Sequence, residues 1–139
     1  MESPTPREGG CQCGAVRYRI EGEPRGLCAC HCRECQRQSG SAFGMSLLVP
    51  ADCFRLLSGE LASFTRNTDS GRALECSFCP GCGTRIHHRG DFDPACVSVK
   101  AGSLDDTSWL PTPTHIWTRS KQPWTPIPTA ATCYEAEPD

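Results

Sequence analysis

Cysteine is the residue type here most able to do chemistry, and the 12 cysteines of this 139-residue chain are not scattered evenly. Three groups have ligand spacing: Cys11-Gln12-Cys13-Gly14, then Cys28-Ala29-Cys30-His31-Cys32-Arg33-Glu34-Cys35, then Cys76-Ser77-Phe78-Cys79-Pro80-Gly81-Cys82-Gly83. Zinc takes four ligands at tetrahedral corners with Zn–S near 2.3 Å, and two sulfurs on a C-x-x-C turn can share one ion. In the first and third groups a glycine follows the last cysteine. It lets the backbone turn back so that N–H groups face the sulfurs. Cys11 and Cys13 cannot fill a site alone. Pairing them with Cys79 and Cys82 gives a four-cysteine site that closes a loop of roughly 65 residues and removes unfolded-state entropy. Cys76 reads as a small buried hydrophobe.

The second group differs. Cys30, Cys32 and Cys35 supply three sulfurs, which leaves a fourth corner for water or an incoming thiolate, the arrangement of catalytic zinc. Zinc there keeps a bound thiol deprotonated at neutral pH and can polarise a carbonyl oxygen. The alternative is a closed structural site, with Cys28 as fourth sulfur or His31 as a nitrogen ligand. His31 lies between two ligands on an extended segment and points away from both, which disfavours it. Spacing alone leaves open and closed sites level. The following stretch, 36–44, is mostly small and polar, suited either to close approach of a substrate backbone or to an ordinary solvated loop. Cys53 and Cys96 read as buried thiols and Cys133 as a tail residue. His87 and His88 face opposite sides of a strand, and Asp105-Asp106 reads as a turn.

The elements that must carry these residues are β-like. Residues 15–20 alternate, with Val16, Tyr18 and Ile20 on one face and Arg17 and Arg19 on the other. Strands are expected at 43–49, 54–57, 61–66, 72–78, 84–88 and 96–101. A turn at Asp69-Ser70-Gly71 makes 61–66 and 72–78 a hairpin. Only 33–39 has the makings of a helical turn. The class is therefore all-β, a sandwich or folded ribbon with little helix. One domain is expected over 8–125, with Pro-rich polar tails at 1–7 and 126–139 that do not pack.

Composition removes other classes. Fourteen basic against 16 acidic residues give a net charge of −2, so there is no basic surplus to displace counterions from a nucleic acid, and no nucleic-acid partner is expected. No apolar run approaches the roughly 20 residues of a membrane span. The first residues lack the basic and apolar regions of a secretory signal. A cytoplasmic chain is the expectation, and in that compartment thiols are read as metal ligands before disulfides.

Taken together the motifs resemble the glutathione-dependent formaldehyde-activating enzyme family, which includes centromere protein V-like proteins. The matching pieces are Gly10-Cys11-Gln12-Cys13-Gly14-Ala15-Val16-Arg17-Tyr18, Cys30-His31-Cys32-Arg33-Glu34-Cys35-Gln36-Arg37, Ser39-Gly40-Ser41-Ala42-Phe43-Gly44, Phe78-Cys79-Pro80-Gly81-Cys82-Gly83-Thr84, and His115-Ile116-Trp117 with Ser120-Lys121 and Trp124. The resemblance implies a zinc-bound folded sheet, β-tent-like, with short knuckle loops. It implies two zinc ions: a structural one at Cys11, Cys13, Cys79 and Cys82, and a catalytic-type one at Cys30, Cys32 and Cys35. The implied activity is that of a carbon–sulfur lyase that adds glutathione, or a related thiol, to formaldehyde or another small aldehyde. Glutathione carries net negative charge, so Arg33, Arg37 and Lys121 become candidate binding cations. The competing function is a non-catalytic zinc module that binds a protein partner or a small thiol. Cys28 and Cys76 each extend a ligand cluster by one sulfur beyond the family pattern; closure of the second site by Cys28 would favour that alternative.

Overall fold

The computed structural model describes residues 6–68 and 71–138. Among them ten strands and one α-helix follow in the order β1 (Arg7–Gly10), β2 (Arg17–Ile20), β3 (Gly26–Cys30), α1 (Arg33–Ser39), β4 (Gly44–Pro50), β5 (Phe54–Ser58), β6 (Ala62–Asn67), β7 (Ala73–Phe78), β8 (Arg85–Gly90), β9 (Cys96–Lys100) and β10 (Thr114–Ile116). β1, β2 and β5 form a three-stranded sheet, and a seven-stranded sheet runs β10-β3-β4-β9-β8-β7-β6. Neighbouring strands are antiparallel except β10, which lies parallel to β3. The all-β class holds, and the helix sits where the sequence permitted one. No helix among the described residues is long and apolar enough to cross a membrane.

The core lies between the sheets because each contributes one alternating apolar face. Val16, Tyr18 and Ile20 meet Leu47 and Val49 of β4, Ile86 of β8 and Val97 and Val99 of β9. Tyr18 stacks on Phe54 at 5.3 Å, and Phe54 meets the His87 ring edge-on at 4.9 Å. The Tyr18 hydroxyl lies 2.6 Å from Ser103 Oγ, which in turn donates to the Lys100 carbonyl. His87 thus belongs to the core side and His88 to the other, as the strand alternation requires.

The opposite face of the large sheet is the one that positions the sulfur chemistry. Direct cross-strand pairs share a face. One row runs Phe64, Cys76, His88, Ser98 across β6, β7, β8 and β9. Another runs Cys28, Ser46, Lys100 across β3, β4 and β9. The register shifts between β7 and β8, with Ser77 opposite His87 but Phe78 opposite Arg85. The extra residue, Ile86, stays in the core, and Arg85 turns to the same face as His88.

Several expectations need correction. Arg7–Gly10 is a strand although it has no apolar alternation; it is held by pairing to β2 and by the Arg19–Glu8 ion pair at 3.0 Å. The ligand spacing of 28–30 masks strand β3, and β10, three residues long, carries too short a pattern to detect. The end beyond residue 125 does not stay unpacked. His115 N–H donates to the Thr132 carbonyl at 2.9 Å, and Tyr134 N–H donates to the His115 carbonyl at 2.9 Å. β10 is an edge strand with free backbone groups, and the returning chain takes them up. Cys76 is buried as expected and Cys133 is exposed, while Cys53 and Cys96 are only half-buried. Asp69 and Ser70 of the expected turn, and Met1 to Thr5, lie outside the described residues; the hairpin of β6 and β7 forms.

Burial holds the Tyr18 phenol well above its usual value, to about 12. A raised pKa favours the protonated fold: stability is full below the unfolded value near pH 10 and falls as pH rises toward 12. Subtracting the urea-derived stability of Tyr18→Phe from that of the wild type between pH 9 and 12 isolates this loss, which is expected to reach about 2–3 kcal/mol. A pH-independent difference between the two proteins overturns it.

Candidate metal centres

Cys11 and Cys13 sit on the turn between β1 and β2, and Cys79 and Cys82 on the turn between β7 and β8. Each turn is closed by its own backbone. Cys11 N–H donates to the Val16 carbonyl at 3.0 Å, and Cys79 N–H to the Thr84 carbonyl at 3.0 Å. Gly14 and Gly83 have φ of 85° and 83°, a left-handed conformation that glycine adopts without strain. The turns touch one another, because Gln12 N–H donates to Thr84 Oγ1 at 3.1 Å. All four sulfurs lie within 4.8 Å of one another, with Cys11–Cys13 at 3.5 Å and Cys13–Cys79 at 3.8 Å. Around an ion with metal–sulfur bonds of about 2.3 Å, tetrahedral corners are about 3.8 Å apart.

Two of the sulfurs, Cys82 and Cys11, are held below the usual thiol value by neighbours the motif itself supplies, while Cys13, despite a backbone bond from Ala15, is pushed up to about 11 by the thiols around it. The Thr84 hydroxyl and N–H hold the Cys82 thiol down to about 5. Val16 N–H, 3.2 Å from Cys11 Sγ, lowers that thiol too. Four thiolates this close repel strongly unless a cation sits among them, so the tetrad could hold a metal ion and would gain stability from doing so.

The second cluster is built at the junction of β3 and α1. Cys30 ends β3, Cys32 is the N-cap residue of α1, and Cys35 lies in the first turn. Cys35 N–H donates to Cys32 Sγ at 3.3 Å, so the capping bond also aims the sulfur. Gly44 faces Cys30 across β4; a Cβ there would stand 3.1 Å from Cys35 Cβ, so its absence lets the helix settle onto the sheet. The three sulfurs lie within 4.8 Å of one another and could hold a metal ion. The neighbouring thiols of Cys30 and Cys35 favour the Cys32 thiolate and lower its pKa, while the same closeness raises that of Cys30.

Neither alternative ligand joins this cluster. Cys28, one alternation back on β3, lies outside the group. His31 is fully buried, and its Nε2 meets His115 Nδ1 at 2.8 Å on the other side of the strand. Among the described residues no fourth histidine, cysteine or carboxylate completes the three.

Two cavities flank α1. The larger, about 560 Å³, is lined by Arg33, Arg37, Gly40, Ser41, Ala42 and Trp124 among others. Arg37, Gly40, Ser41 and Ala42 of the small polar stretch therefore face open space. The smaller, about 250 Å³, lies between α1 and the outer face of β6, β7 and β8, and Cys35 and Arg37 open onto it. Lys121 lines neither: its Nζ donates to the carbonyls of Gln122 and Thr125 at 3.1 and 2.8 Å. The sequence reading missed Gln36, which is buried and donates to the carbonyls of His31 and Ser120 at 2.8 and 3.0 Å, pinning α1 to the segment after β10. It also gave no role to the outer-face residues Arg66, Arg85 and Lys100, and placed His88 on a strand face without its partners. For Lys100 the signal was present, since 96–100 alternates and places it beyond the apolar Val97 and Val99.

The two clusters differ in what they join: the tetrad links turns of two different sheets, the second cluster only β3 and the helix that follows it. A structural zinc-type site contributes about 10–16 kcal/mol, comparable with the whole stability of a domain. Cys79→Ser is therefore expected to lose one bound metal and the cooperative thermal transition together. Cys35→Ser is expected to lose its metal but keep the transition. Metal content and circular dichroism melts of both variants check this, and a folded, metal-replete Cys79→Ser protein contradicts it.

Comparison with known proteins follows the same lines. The family described as glutathione-dependent formaldehyde-activating enzyme matches residues 6–120 of this chain. A protein of Halomonas elongata, named as a candidate glutathione-dependent formaldehyde-activating enzyme, is 28% identical over 141 aligned positions, covering 95% of this chain and 88% of that one. The crystal structure of a Rhodobacter sphaeroides protein superposes with a TM-score of 0.58 at 19% identity, over 91% of this chain and 98% of that one, and so shares the fold. On the match over residues 6–120, the chain belongs to the glutathione-dependent formaldehyde-activating enzyme family.

Proposed function

We propose that this protein is a zinc-dependent carbon–sulfur lyase that joins glutathione, or a related thiol, to formaldehyde or another small aldehyde. The observation that carries the reading is the incomplete cluster: three sulfurs within 4.8 Å, no fourth protein ligand among the described residues, and a cavity opening at Cys35. A four-sulfur tetrad elsewhere in the same chain makes the contrast internal, one closed set and one open. The family match and the name of the Halomonas elongata relative support the choice of thiol and aldehyde.

Cys11, Cys13, Cys79 and Cys82 would hold a structural zinc, and Cys30, Cys32 and Cys35 a second one. The soft sulfur donor sets fit that ion. When bound at the open cluster, zinc supplies a Lewis-acidic position that favours thiolate over thiol. The rest is positioning by the chain. The N-cap bond to Cys32 and the contact of α1 with Gly44 fix the cluster's geometry, and Gln36 fixes the helix. The substrate thiolate attacks the aldehyde carbon; the C–S bond forms, the C=O π pair moves to oxygen, and a solvent proton completes the hydroxymethyl product. Holding the two reactants together accounts for the acceleration. Arg33 and Arg37, both exposed at the cavities, are the candidate contacts for one of the tripeptide's carboxylates; Lys121, engaged with two carbonyls, acts on the local backbone. We place the reaction in the cytoplasm, where thiols are kept reduced.

This addition also runs without a catalyst, so the test measures rate above background. The purified protein is expected to accelerate adduct formation from glutathione and formaldehyde, followed by ¹³C NMR, and Cys32→Ala to fall to the background rate while keeping its thermal transition. X-ray absorption should find two zinc ions per chain, one with four sulfurs and one with three sulfurs and a light atom. Four sulfurs around both ions reject the enzyme in favour of a closed zinc module; three sulfurs without acceleration reduce it to a thiol-binding protein.

A further inference from the structure

The outer face of the large sheet gathers cations that the sulfur chemistry leaves unused. Arg66 on β6, Arg85 on β8 and Arg37 on α1 line the 250 Å³ cavity onto which Cys35 opens. The sheet explains why. Arg66 is paired with Leu74, two residues from the Phe64–Cys76 pair, so it shares their face, and the bulge at Ile86 swings Arg85 to that face as well. Arg85 donates to His88 Nε2 at 3.0 Å. A guanidinium only donates, so His88 is a neutral acceptor there; its burial, then the charges of Lys100, Arg85 and Arg66, hold its pKa to about 3. Deeper in the same face Lys100 is buried and donates to Ser46 Oγ at 2.9 Å.

None of these cations has a carboxylate partner among the described residues: the ion pairs present involve Arg17, Arg19 and Arg55, all on the small sheet. Glu34 is the one carboxylate lining the cavity. The chain as a whole is acidic, at −2, so this is a local concentration of positive charge around a neutral, buried histidine. Like charges collected in a half-enclosed, low-dielectric space repel one another. They are tolerable where an anion completes the set, and arginine is the side chain that grips carboxylates in pairs of hydrogen bonds. Phe64 and Leu74, on the same walls, offer apolar contact for the carbon chain between a carboxylate and a thiol.

We infer that this cavity seats a carboxylate of the thiol substrate, gripped by Arg66 and Arg85, while the substrate's sulfur reaches the cluster of Cys30, Cys32 and Cys35. The inference rests on the reaction proposed above and assigns the part of that substrate that decides specificity. It predicts that thiols lacking a carboxylate bind without help from these arginines.

Equilibrium titration calorimetry on the metal-loaded protein tests it without relying on turnover. The probes are S-methylglutathione, which keeps both carboxylates but has no free thiol, its diethyl ester, and 2-mercaptoethanol. The wild type is expected to bind S-methylglutathione at least tenfold more tightly than the diester. Arg66→Gln and Arg85→Gln are each expected to weaken S-methylglutathione about tenfold, with no effect on the diester or on 2-mercaptoethanol. Arg66→Lys and Arg85→Lys, which keep the charge, are expected to recover part of the loss, and melting curves check that all variants fold. Equal binding of acid and ester by the wild type, or folded Gln variants with unchanged affinity, overturns the inference. Arginine-dependent binding without catalytic acceleration keeps the pocket and removes the reaction; acceleration with carboxylate-independent binding keeps the reaction and removes the pocket.

Discussion

Four sulfurs from two distant turns, brought within 4.8 Å of one another, are the constraint on which this molecule depends. The turn between β1 and β2 belongs to the small sheet and the turn between β7 and β8 to the large one. Joining them staples the two layers at one end, and Gln12 N–H on Thr84 Oγ1 seals the joint. The apolar bulk between the sheets is modest, a few valines, leucines and isoleucines around Tyr18 and Phe54. A cation among those four sulfurs would add a cross-link comparable in strength with the net stability of a whole domain.

With the sheets fixed, the second cluster can be left incomplete. Its sulfurs lie on consecutive elements, the end of β3 and the first turn of α1, so their proximity is set by local backbone geometry and one capping bond. What distant residues add is the seating of the helix: Gly44 gives it room against the sheet, and Gln36 ties it to the segment after β10. The buried His31–His115 pair fills the opposite side of the same strand, which explains why a histidine embedded in a cysteine motif serves packing instead of ligation.

The two faces of the large sheet divide the labour. The inner face carries the alternating apolar residues that make the core. The outer face holds polar and charged side chains at half-buried positions, where their fields are weakly screened. A single bulge at Ile86 moves Arg85 from one face to the other, so one inserted residue decides whether that charge joins the core or the cavity.

The cysteine turns were legible in the sequence because their information is local: C-x-C and C-x-x-C spacings followed by glycine are complete turn instructions, and the alternation of 15–20 and 96–100 announces strands whatever surrounds them; that the first and third turns meet is the work of the two sheets. The strands that went unread are those whose stability comes from partners, such as polar Arg7–Gly10, held by Glu8 and Arg19, and Thr114–Ile116, held between β3 and the returning chain. Tertiary structure alone decided that Cys28 stays outside its neighbours' cluster, that Lys121 spends its charge on two carbonyls, and that Arg66, Arg85 and Lys100 converge beside Cys35. The physical reason is register. Residues far apart in the chain become neighbours only when strands pair and one bulge sets which side each faces, and no spacing within a single segment encodes that.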